Sequence, residues 1–426
     1  MSKIRTKINE ALLSDLSPIR DGKKNWLNSF RRKARERFYK IGAPIQKDEE
    51  WRLSYPQYFT KPAVLKSKVK KERTVTPFDQ MDRTILVFVD GVYKEKESVL
   101  RHDNIDISHI GEIAEIEHHW TKEIYGVLEE ESQVISKRPL AALNSAIADS
   151  GFAINIENGT VDKPIEFRYI FTGSEIGKLI RNIVKVGDES EVNIFENFLG
   201  SGWSNILTEI DIGKNAKCNH FRSKNLSVNA TSNTFIIGRV EANGQFKSSS
   251  ISLGGGKNRN ECHVTLAGEF SSCSIAGASY LCEGDALDDD TISVHHKVAN
   301  CKSRQVFKKV QKDDCIGVFQ GKIRVEKEAQ KTDGYQTSRA ILLDDSSKFY
   351  AKPELEIFAD DVSCSHGSVS GAIDQDSLFY LQSRGIGEAQ AKHMLILAFM
   401  SEVFDEIENE KIKNIIINHL EKYLNI

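Results

Sequence analysis

The stretch ADDVSCSHGSVSG, residues 359–371, places a cysteine and a histidine two positions apart, at Cys364 and His366. On a β-strand, residues i and i+2 project from the same face, with Cα atoms about 6.5–7 Å apart. A thiolate and an imidazole at that spacing can bind one iron or zinc ion. Two ligands do not close a tetrahedral site, so the remaining ligands must come from neighbouring coils or from another chain. The alternative is a core thiol beside a surface imidazole, and the spacing alone favours it.

The other soft ligands suggest packing instead of a metal centre. Seven cysteines stand at positions 218, 262, 273, 282, 301, 315 and 364, and no Cys-x-x-Cys pair occurs among them. The odd count, in a chain that begins without an apolar secretion signal, predicts reduced thiols and a cytoplasmic protein. His295-His296 precedes Cys301, but adjacent residues of a strand point to opposite faces, so at most one histidine joins a given cysteine. Core packing is therefore the default for these thiols.

Further motifs fail as sites. The stretch SLGGGKNRN, residues 252–260, has no Gly-x-x-x-x-Gly-Lys frame and predicts a glycine-rich loop between coils. The triplet Asp288-Asp289-Asp290 predicts a solvated turn, because a calcium site needs six or more spaced oxygen ligands. The net charge of −3 gives no argument for nucleic acid or an anionic membrane as partner. No apolar run approaches the roughly 18 residues of a membrane helix.

The elements that must position these residues change character along the chain. The segment NWLNSFRRKARERFYKIG predicts a helix that ends at Gly42, and the lysine-rich KPAVLKSKVKKERTVTP predicts a solvated linker. ILVFVDGVYKEK predicts a hairpin around Asp90-Gly91, and LAALNSAIADSG predicts a short helix ended by Gly151. From about residue 152 to about residue 372, short alternating runs separated by turn residues predict strands without helices. Such a pattern fits a sandwich, a barrel or a β-solenoid.

Turn chemistry favours the solenoid. A glycine opens each of three turns, and a small apolar residue follows five positions later, in the pairs Gly187–Val192, Gly213–Cys218 and Gly268–Cys273. Stacked coils with a common period would place these small residues in one inward ladder. The last fifty residues predict helices with an apolar stripe at Ala391, Leu395, Ala398, Phe399, Val403 and Ile407. We therefore expect a helical region and linker at 1–80, a hairpin and helical lead-in at 81–151, a β-helix core at 152–372 and a helical region at 373–426.

Several longer segments resemble one known family. They are ILVFVDGVY, PLAALNSAIADSGFAINIENGTVDKPIEF, KTDGYQTSRAILLDD and PELEIFADDVSCSHGSVSGAIDQDSLFYLQSRGI, together with DEEWRLSYP at 48–56. They resemble the SufB/SufD family of the SUF iron–sulfur cluster assembly system, and in particular its SufD members. The resemblance runs from about residue 80 to about residue 408 and is densest after residue 290. It implies a right-handed parallel β-helix between helical terminal regions, which agrees with the fold class predicted from the pattern.

The resemblance also implies a function. A SufD-like chain is a non-catalytic scaffold subunit that pairs with its paralogue SufB and engages the ABC-type ATPase SufC through its C-terminal helices. A nascent iron–sulfur cluster would form at the heterodimer interface, and the chain alone would hold no cofactor stably. His366 falls on the interface histidine of the family motif and Cys364 on the cysteine beside it. The residues that match the stretch leading into the ATPase-binding helices are Leu378, Phe379, Tyr380, Arg384, Gly385 and Ile386.

Two departures separate the chain from SufB members of that family. Ser338 stands where SufB would carry its acceptor cysteine, and Gly367 stands where SufB has a glutamate after the histidine. These departures favour the partner of the cluster-forming subunit over that subunit itself. Whether Cys282, His295 or Cys301 takes part in sulfur transfer stays open. The alternative function is a β-helix carbohydrate-active enzyme, which would need a surface cleft lined with carboxylates.

Overall fold

The computed structural model describes residues 3–16, 25–62, 76–101, 105–117, 119–173 and 179–424. Its main feature is a parallel β-solenoid with helices at both ends of the chain, which confirms the predicted fold class. The lysine-rich segment predicted as a linker lies largely outside the described residues. The strands are β1 (Thr84–Val89), β2 (Val92–Tyr93), β3 (Ile105–His109), β4 (Phe152–Ile156), β5 (Ile165–Phe171), β6 (Leu179–Val186), β7 (Glu191–Gly200), β8 (Trp203–Ile212), β9 (Lys217–Leu226), β10 (Thr231–Val240), β11 (Gln245–Gly254), β12 (Lys257–Leu266), β13 (Ser272–Leu281), β14 (Leu287–His296), β15 (Lys302–Gln311), β16 (Ile316–Val325), β17 (Asp333–Leu342), β18 (Lys348–Ile357) and β19 (Ser363–Gly371).

Helices cover the outside of the solenoid. The α-helices are α1 (Lys3–Leu16), α2 (Trp26–Ile41), α3 (Ile110–Ile113), α4 (Val127–Ser132), α5 (Pro139–Ile147), α6 (Gln375–Ser383), α7 (Glu388–Ser401) and α8 (Glu410–Leu424). Short 3-10 helices lie at Glu49–Trp51, Pro56–Tyr58, Glu95–Glu97, Trp120–Glu123 and Glu402–Phe404. Within the described ranges, no helix has the length and apolar character needed to cross a membrane.

Two sheets form the walls of the solenoid. One has the order β19-β17-β15-β13-β11-β9-β7-β5-β1-β2, and the other has the order β18-β16-β14-β12-β10-β8-β6-β4-β3. The antiparallel pairings are β1 with β2, through the predicted turn at Asp90-Gly91, and β3 with β4. Equivalent strands begin 26 residues apart at Glu191 and Lys217 and 31 apart at Lys302 and Asp333. Each coil therefore contributes one strand to each sheet, and the chain climbs by one rung per period.

The predicted ladder is present inside the solenoid. Val192 pairs with Cys218, Cys218 with Phe246, and Phe246 with Cys273 across β7, β9, β11 and β13. All four side chains are buried in the main hydrophobic core. The small residues predicted from the turn spacing thus share one inward column, and Phe246 fills the gap between the two cysteines.

The outer faces of the two sheets bury different ends of the chain. The N-terminal helices pack on the nine-stranded sheet, where Leu27 and Phe38 of α2 share a core with Phe235 and Ile237 of β10. The C-terminal helices pack on the ten-stranded sheet, with residues such as Met400 in one core with strand residues of β9 and β11. Helix α2 ends at Gly42 as predicted, with φ of 81° and the Gly42 N–H bonded to the Phe38 carbonyl.

The prediction that Gly151 ends the short helix is wrong. Helix α5 ends at Ile147, where the Ala148 N–H bonds to the Asn144 carbonyl. Gly151 has φ of 133°, and a Cβ atom there would lie 1.8 Å from the Arg181 carbonyl oxygen. The glycine is required because the chain passes against the backbone of β6 as it enters the first rung.

The prediction of a solvated turn at residues 288–290 is also wrong. Asp288, Asp289 and Asp290 lie on β14 and are buried. Asp288 and Asp290 point into the solenoid, where each accepts a hydrogen bond of 2.6 Å from the Lys309 ammonium. Asp289 points outward and pairs with the Arg259 guanidinium. Buried carboxylates persist here because each faces a cation, a pairing that the local sequence does not display.

A network of buried polar side chains extends from these aspartates to the neighbouring rungs inside the solenoid. Glu196 accepts hydrogen bonds of 2.8 and 2.6 Å from the Arg222 guanidinium. The Lys224 ammonium donates to neutral groups, the hydroxyls of Ser232 at 3.3 Å and Thr234 at 3.2 Å and the amide oxygen of Asn260. Burial and the nearby Arg222 lower the pKa of Lys224 to about 7. The closed middle of the solenoid therefore holds titratable groups out of contact with solvent.

Candidate functional site

Cys364 lies on β19, at the end of the inward column. It pairs with Gly334 of β17, which continues the column of Cys218 and Cys273 by way of Ser303. Its side chain is half-buried and packs against a small core that includes Ile323. Burial raises the pKa of the Cys364 thiol, although a backbone hydrogen bond at Gly334 acts to lower it. Cys364 thus occupies the same inward column as Cys218 and Cys273, on the last rung of that column.

His366 follows on the same face of β19, in register with Gln336 of β17. The imidazole is exposed, and no hydrogen bond or ion pair of its side chain is present within the described ranges. No group of three or more His, Cys, Asp or Glu side chains is arranged to hold a metal ion in the part of the chain that the structure describes. The structure therefore brings Cys364 and His366 to one strand face but supplies no third ligand beside them.

Ser338 lies one rung inside the same end. It pairs with Ser368, is 1% exposed, and its hydroxyl donates a 3.0 Å hydrogen bond to the Ser368 hydroxyl. Gly367, next to His366, has no atom within 4 Å of the position that a Cβ would take. A longer side chain would fit at residue 367, so steric crowding does not require a glycine there.

Two strands form the open edges at this end, and they differ. The last strand of the nine-stranded sheet is β18. The N–H of Lys348 at its start bonds to the Cys315 carbonyl, and the N–H of Phe358 just after its end bonds to the Val325 carbonyl, so both point toward the rung of β16. Because N–H direction alternates along a strand, residue 353 faces the free edge, and it is a proline without an N–H. Lys352 and Glu354 flank it. Proline and charge are the features by which edge strands resist pairing.

The other edge strand, β19, has neither feature. Ser363 donates its N–H inward to Thr332, so the N–H groups of Cys364, His366 and Ser368 face the free edge. Every residue of β19 except Cys364 is exposed, and none of the nine is charged or proline. A strand with free donors and acceptors, open to solvent and without charge, is a template for pairing with another chain.

Apolar side chains are exposed around the same end. Four of these residues form what we call the terminal patch. They are Tyr335 of β17 (37% exposed), Ile357 of β18 (38%), Phe358 just after β18 (55%) and Val369 of β19 (64%). The Arg324 guanidinium lies 5.1 Å from the centre of the Phe358 ring. Exposed apolar groups concentrated beside an unpaired edge are typical of a protein interface. This surface was not predicted from the sequence, and the available signal was the uncharged run SCSHGSVSG.

Helix α6 carries three of the six residues predicted to meet an ATPase, and the other three follow it directly. Phe379 and Tyr380 are 72 and 57% exposed, and the Arg384 guanidinium lies 5.1 Å from the centre of the Tyr380 ring. Gly385 closes the helix with φ of 86° and its N–H bonded to the Gln382 carbonyl. Leu378 is buried instead and anchors the helix.

Ile386, the last of the six, and the histidines and cysteines considered for sulfur transfer have partners or burial that account for them. The backbone N–H of Ile386 bonds to the Leu381 carbonyl. His295 points outward and contacts Glu326 at 2.8 Å, whereas His296 points inward and contacts Ser303 at 2.9 Å, so the two histidines lie on opposite faces as predicted. Burial raises the pKa of Cys282 to about 12 and also raises that of Cys301. Neither thiol is poised to react at neutral pH.

Comparisons with known proteins identify the family of the chain. A family model described as "SUF system FeS cluster assembly, SufBD core domain" matches residues 169–399, and one described as "SufBD protein N-terminal region" matches residues 9–167. The chain is 31% identical to "Protein ABCI7, chloroplastic" of Arabidopsis thaliana over 63% of its own length and 59% of that protein's. It is 31% identical to "Iron-sulfur cluster assembly protein SufD" of Escherichia coli over 64% of its own length and 66% of that protein's. It is 25% identical to the Bacillus subtilis protein of the same name over 68% of its own length and 67% of that protein's. The chain thus spans about three fifths to two thirds of the length of these relatives.

Proposed function

The chain belongs to the SufBD family of SUF iron–sulfur cluster assembly proteins, and from that premise we propose that it is a non-catalytic scaffold subunit that pairs with a paralogous SufBD subunit, SufB, through its last rung. The observation that carries the proposal is the uncapped end of the solenoid. Solenoids need a polar cap on their terminal repeats to stay soluble. Here β19 leaves its backbone edge open and the terminal patch surrounds it. The paralogue would supply the missing cover by adding a strand to β19.

The cluster ligands follow from the same contact. Cys364 and His366 would supply a thiolate and an imidazole nitrogen to a nascent iron–sulfur cluster, and the partner would supply the rest. Two points support this division: within the described ranges no third ligand lies beside the pair, and Ser338 offers a hydroxyl where a soft ligand would be needed. The cluster is cargo in this scheme, bound only in the assembled complex.

A second partner would be the ATPase SufC, bound at α6. Phe379, Tyr380 and Arg384 form an exposed aromatic and cationic group of the kind that dominates interface energies. Helix α6 leads into α7, and the segment after α7 is tied to β15 by an ion pair between Lys308 and Glu402. A movement imposed on α6 could therefore reach the strands near the cluster site.

The proposed location is the cytoplasm or another reducing compartment. All seven cysteines are free thiols, and a chain with buried thiols and no disulfide fits such a compartment. The alternative predicted from the sequence, a carbohydrate-active enzyme, has no support from the comparisons, because the matching family models describe iron–sulfur assembly proteins.

The pairing is tested by charging the β19 edge. Val369→Lys should weaken the complex with the co-expressed paralogue by at least about tenfold, because strand addition would desolvate the new charge. Val228→Lys is the matched control, since Val228 is 45% exposed but lies in a turn between β9 and β10. Analytical ultracentrifugation of both complexes measures the dissociation constants. Equal affinity of the two variants would contradict pairing through β19.

The ligand role is tested by His366→Ala in the assembled complex. Loss of a residue that only supports a ligand lowers metal affinity by ~10–100-fold, so cluster yield should fall by at least about tenfold when a ligand itself is lost. His109→Ala, which removes a histidine of β3 at the opposite end of the nine-stranded sheet from β18, is the control. Cluster yield is read from iron and sulfide content and from the visible absorption spectrum. An unchanged yield in His366→Ala with an intact complex would remove His366 from the proposal.

A further inference from the structure

A cavity of about 350 Å³ lies between the N-terminal helices and the start of α5, away from the last rung. It is lined by Arg5, Lys40, Ile41, Gly42, Lys47, Asp48, Glu49, Glu50, Trp51, Lys137 and Pro139. We propose that this cavity binds a small anion that carries several phosphate or carboxylate groups. Its volume falls within the range of ~300–1,000 Å³ typical of small-molecule sites. The inference stands independently of the proposed scaffold function.

Three lysines supply charge without a counter-charge. Lys40, Lys47 and Lys137 are exposed, and within the described ranges none of their ammonium groups makes an ion pair or a hydrogen bond. They come from three separate parts of the chain: the last turn of α2, the segment after it and the residue two before Pro139. Like charges around one cavity repel one another, and a multivalent anion between them relieves that repulsion.

The negative groups of the lining are mostly neutralised by other cations. Arg5 pairs with the Asp48 carboxylate and donates a 3.1 Å hydrogen bond to the Ile41 carbonyl at the end of α2. The Glu49 carboxylate lies 2.7 Å from the Lys352 ammonium of β18. Only the Glu50 carboxylate is left without a cation in direct contact within the described ranges. The field in the cavity is therefore set by the lysines.

A polar group in the wall has no partner. Trp51 is 1% exposed, and its buried indole N–H has no hydrogen-bond acceptor in the described part of the chain. The Arg259 guanidinium, 4.0 Å from the centre of its ring, holds the indole in place. The indole N–H is itself closed off from solvent, so Trp51 contributes a rigid wall to the cavity. The charge that would attract an anion comes from the three lysines.

The test uses the full chain and inorganic pyrophosphate, with citrate as the carboxylate probe and sodium chloride at equal ionic strength. Isothermal titration calorimetry should show saturable binding at one site for pyrophosphate or citrate and none for chloride. Tighter binding of pyrophosphate assigns the site to phosphates, and tighter binding of citrate assigns it to carboxylates. Lys47→Met/Lys137→Met should weaken binding at least about tenfold. Glu50→Gln should strengthen it, because the last free carboxylate is gone.

The matched control is Lys214→Met/Lys327→Met, which removes two exposed lysines from turns of the solenoid. It should leave the affinity unchanged, and thermal melting should show that all variants are folded. Absence of saturable binding by both probes would overturn the proposal. So would an equal loss of affinity in the control, because binding would then follow overall charge instead of this cavity.

Discussion

Cys218 lies in the middle of the solenoid and Cys364 lies on its last rung, although both occupy the same inward column of the same sheet. Cys218 is 0% exposed, and burial raises its pKa to about 12. Cys364 is half-buried beside an exposed histidine, with its backbone N–H directed at a free edge. The same residue type at the same ladder position is a core filler in one place and a candidate ligand in the other.

The difference lies in the neighbouring rung. In the middle, each strand is covered on both sides, so an inward side chain meets only other inward side chains. At the end, the covering strand is missing, and the inward column opens to whatever docks there. A metal-binding pair can therefore arise from ladder residues without a dedicated loop, provided that they stand on the last rung.

The largest expected effect is in thiol reactivity. In native protein at pH 8, iodoacetamide should modify Cys364 at least about 100-fold faster than Cys218, because a thiol of pKa near 12 is ionised to only ~0.01% at that pH and is also shielded. Cys273, in the same column, should be protected like Cys218. Peptide mass spectrometry over time gives the rate for each cysteine, and urea-unfolded protein, in which all seven react, is the control. Similar rates for Cys218 and Cys364 in native protein would break the comparison.

The second effect concerns the charged interior of the closed middle. The pKa of Lys224 is lowered to about 7, so between pH 7 and its unfolded value of 10.5 the unfolded chain binds more protons than the folded one. Stability should therefore rise with pH in that window, by at most ~2.7 kcal/mol from pH 7 to pH 9. The charged groups that act on Lys224 are Arg222, Asp288, Asp290 and Glu196. Thermal melting between pH 7 and pH 9 measures the rise.

The variant that isolates this effect is Lys224→Met, which keeps the length of the side chain and its contact with the Phe198 ring. The rise in melting temperature between pH 7 and pH 9 should be lost in this variant. Lys214→Met, on an exposed turn, should keep it. A rise that persists in Lys224→Met would assign the titration to another group.

Sequence reasoning predicted the solenoid because its signals are local and repeated. Alternating runs, turn glycines and the position of Cys218 five residues after Gly213 all lie within single coils. The triplet at 288–290 was predicted wrongly because its partners are distant: Lys309 is 21 residues from Asp288, and Arg259 is 30 from Asp289. The placement of Gly151 failed for the same reason, since the backbone that it approaches belongs to Arg181.

The candidate site was predicted only in part. The spacing of Cys364 and His366 correctly indicated one strand face. What the sequence could not display is that β19 is the last rung, because the end of a solenoid is defined by the absence of a following strand. The terminal patch depends on the same fact. Ile357, at the end of β18, would be an ordinary core-strand residue if another coil followed.

The third effect is on stability. Cys218→Ser should lower stability by ~1–3 kcal/mol, because a hydroxyl without a partner would be buried among apolar side chains. Cys364→Ser should stay within about 0.5 kcal/mol, because its half-exposed hydroxyl can reach water. Melting temperatures of the two variants make the comparison. Equal losses would mean that the last rung is as closed as the middle, which would contradict the open end.

The smallest expected effect is a gain in metal affinity when a substitution adds a thiol ligand near His366. Ser338 is the diagonal neighbour of His366 on the adjacent rung, roughly 8 Å away by strand spacing and rise. Ser338→Cys should raise the affinity of the isolated chain for Co²⁺ about tenfold, with thiolate charge-transfer bands in the visible and near-ultraviolet spectrum. Ser303→Cys places a thiol in the column of Cys364 but two rungs inside, out of reach of His366, and should add nothing. A gain in Ser338→Cys alone would tie metal binding to the open rung. Equal gains in the two variants would mean that any added thiol raises the affinity for Co²⁺, which would contradict a specific role of the last rung in metal binding.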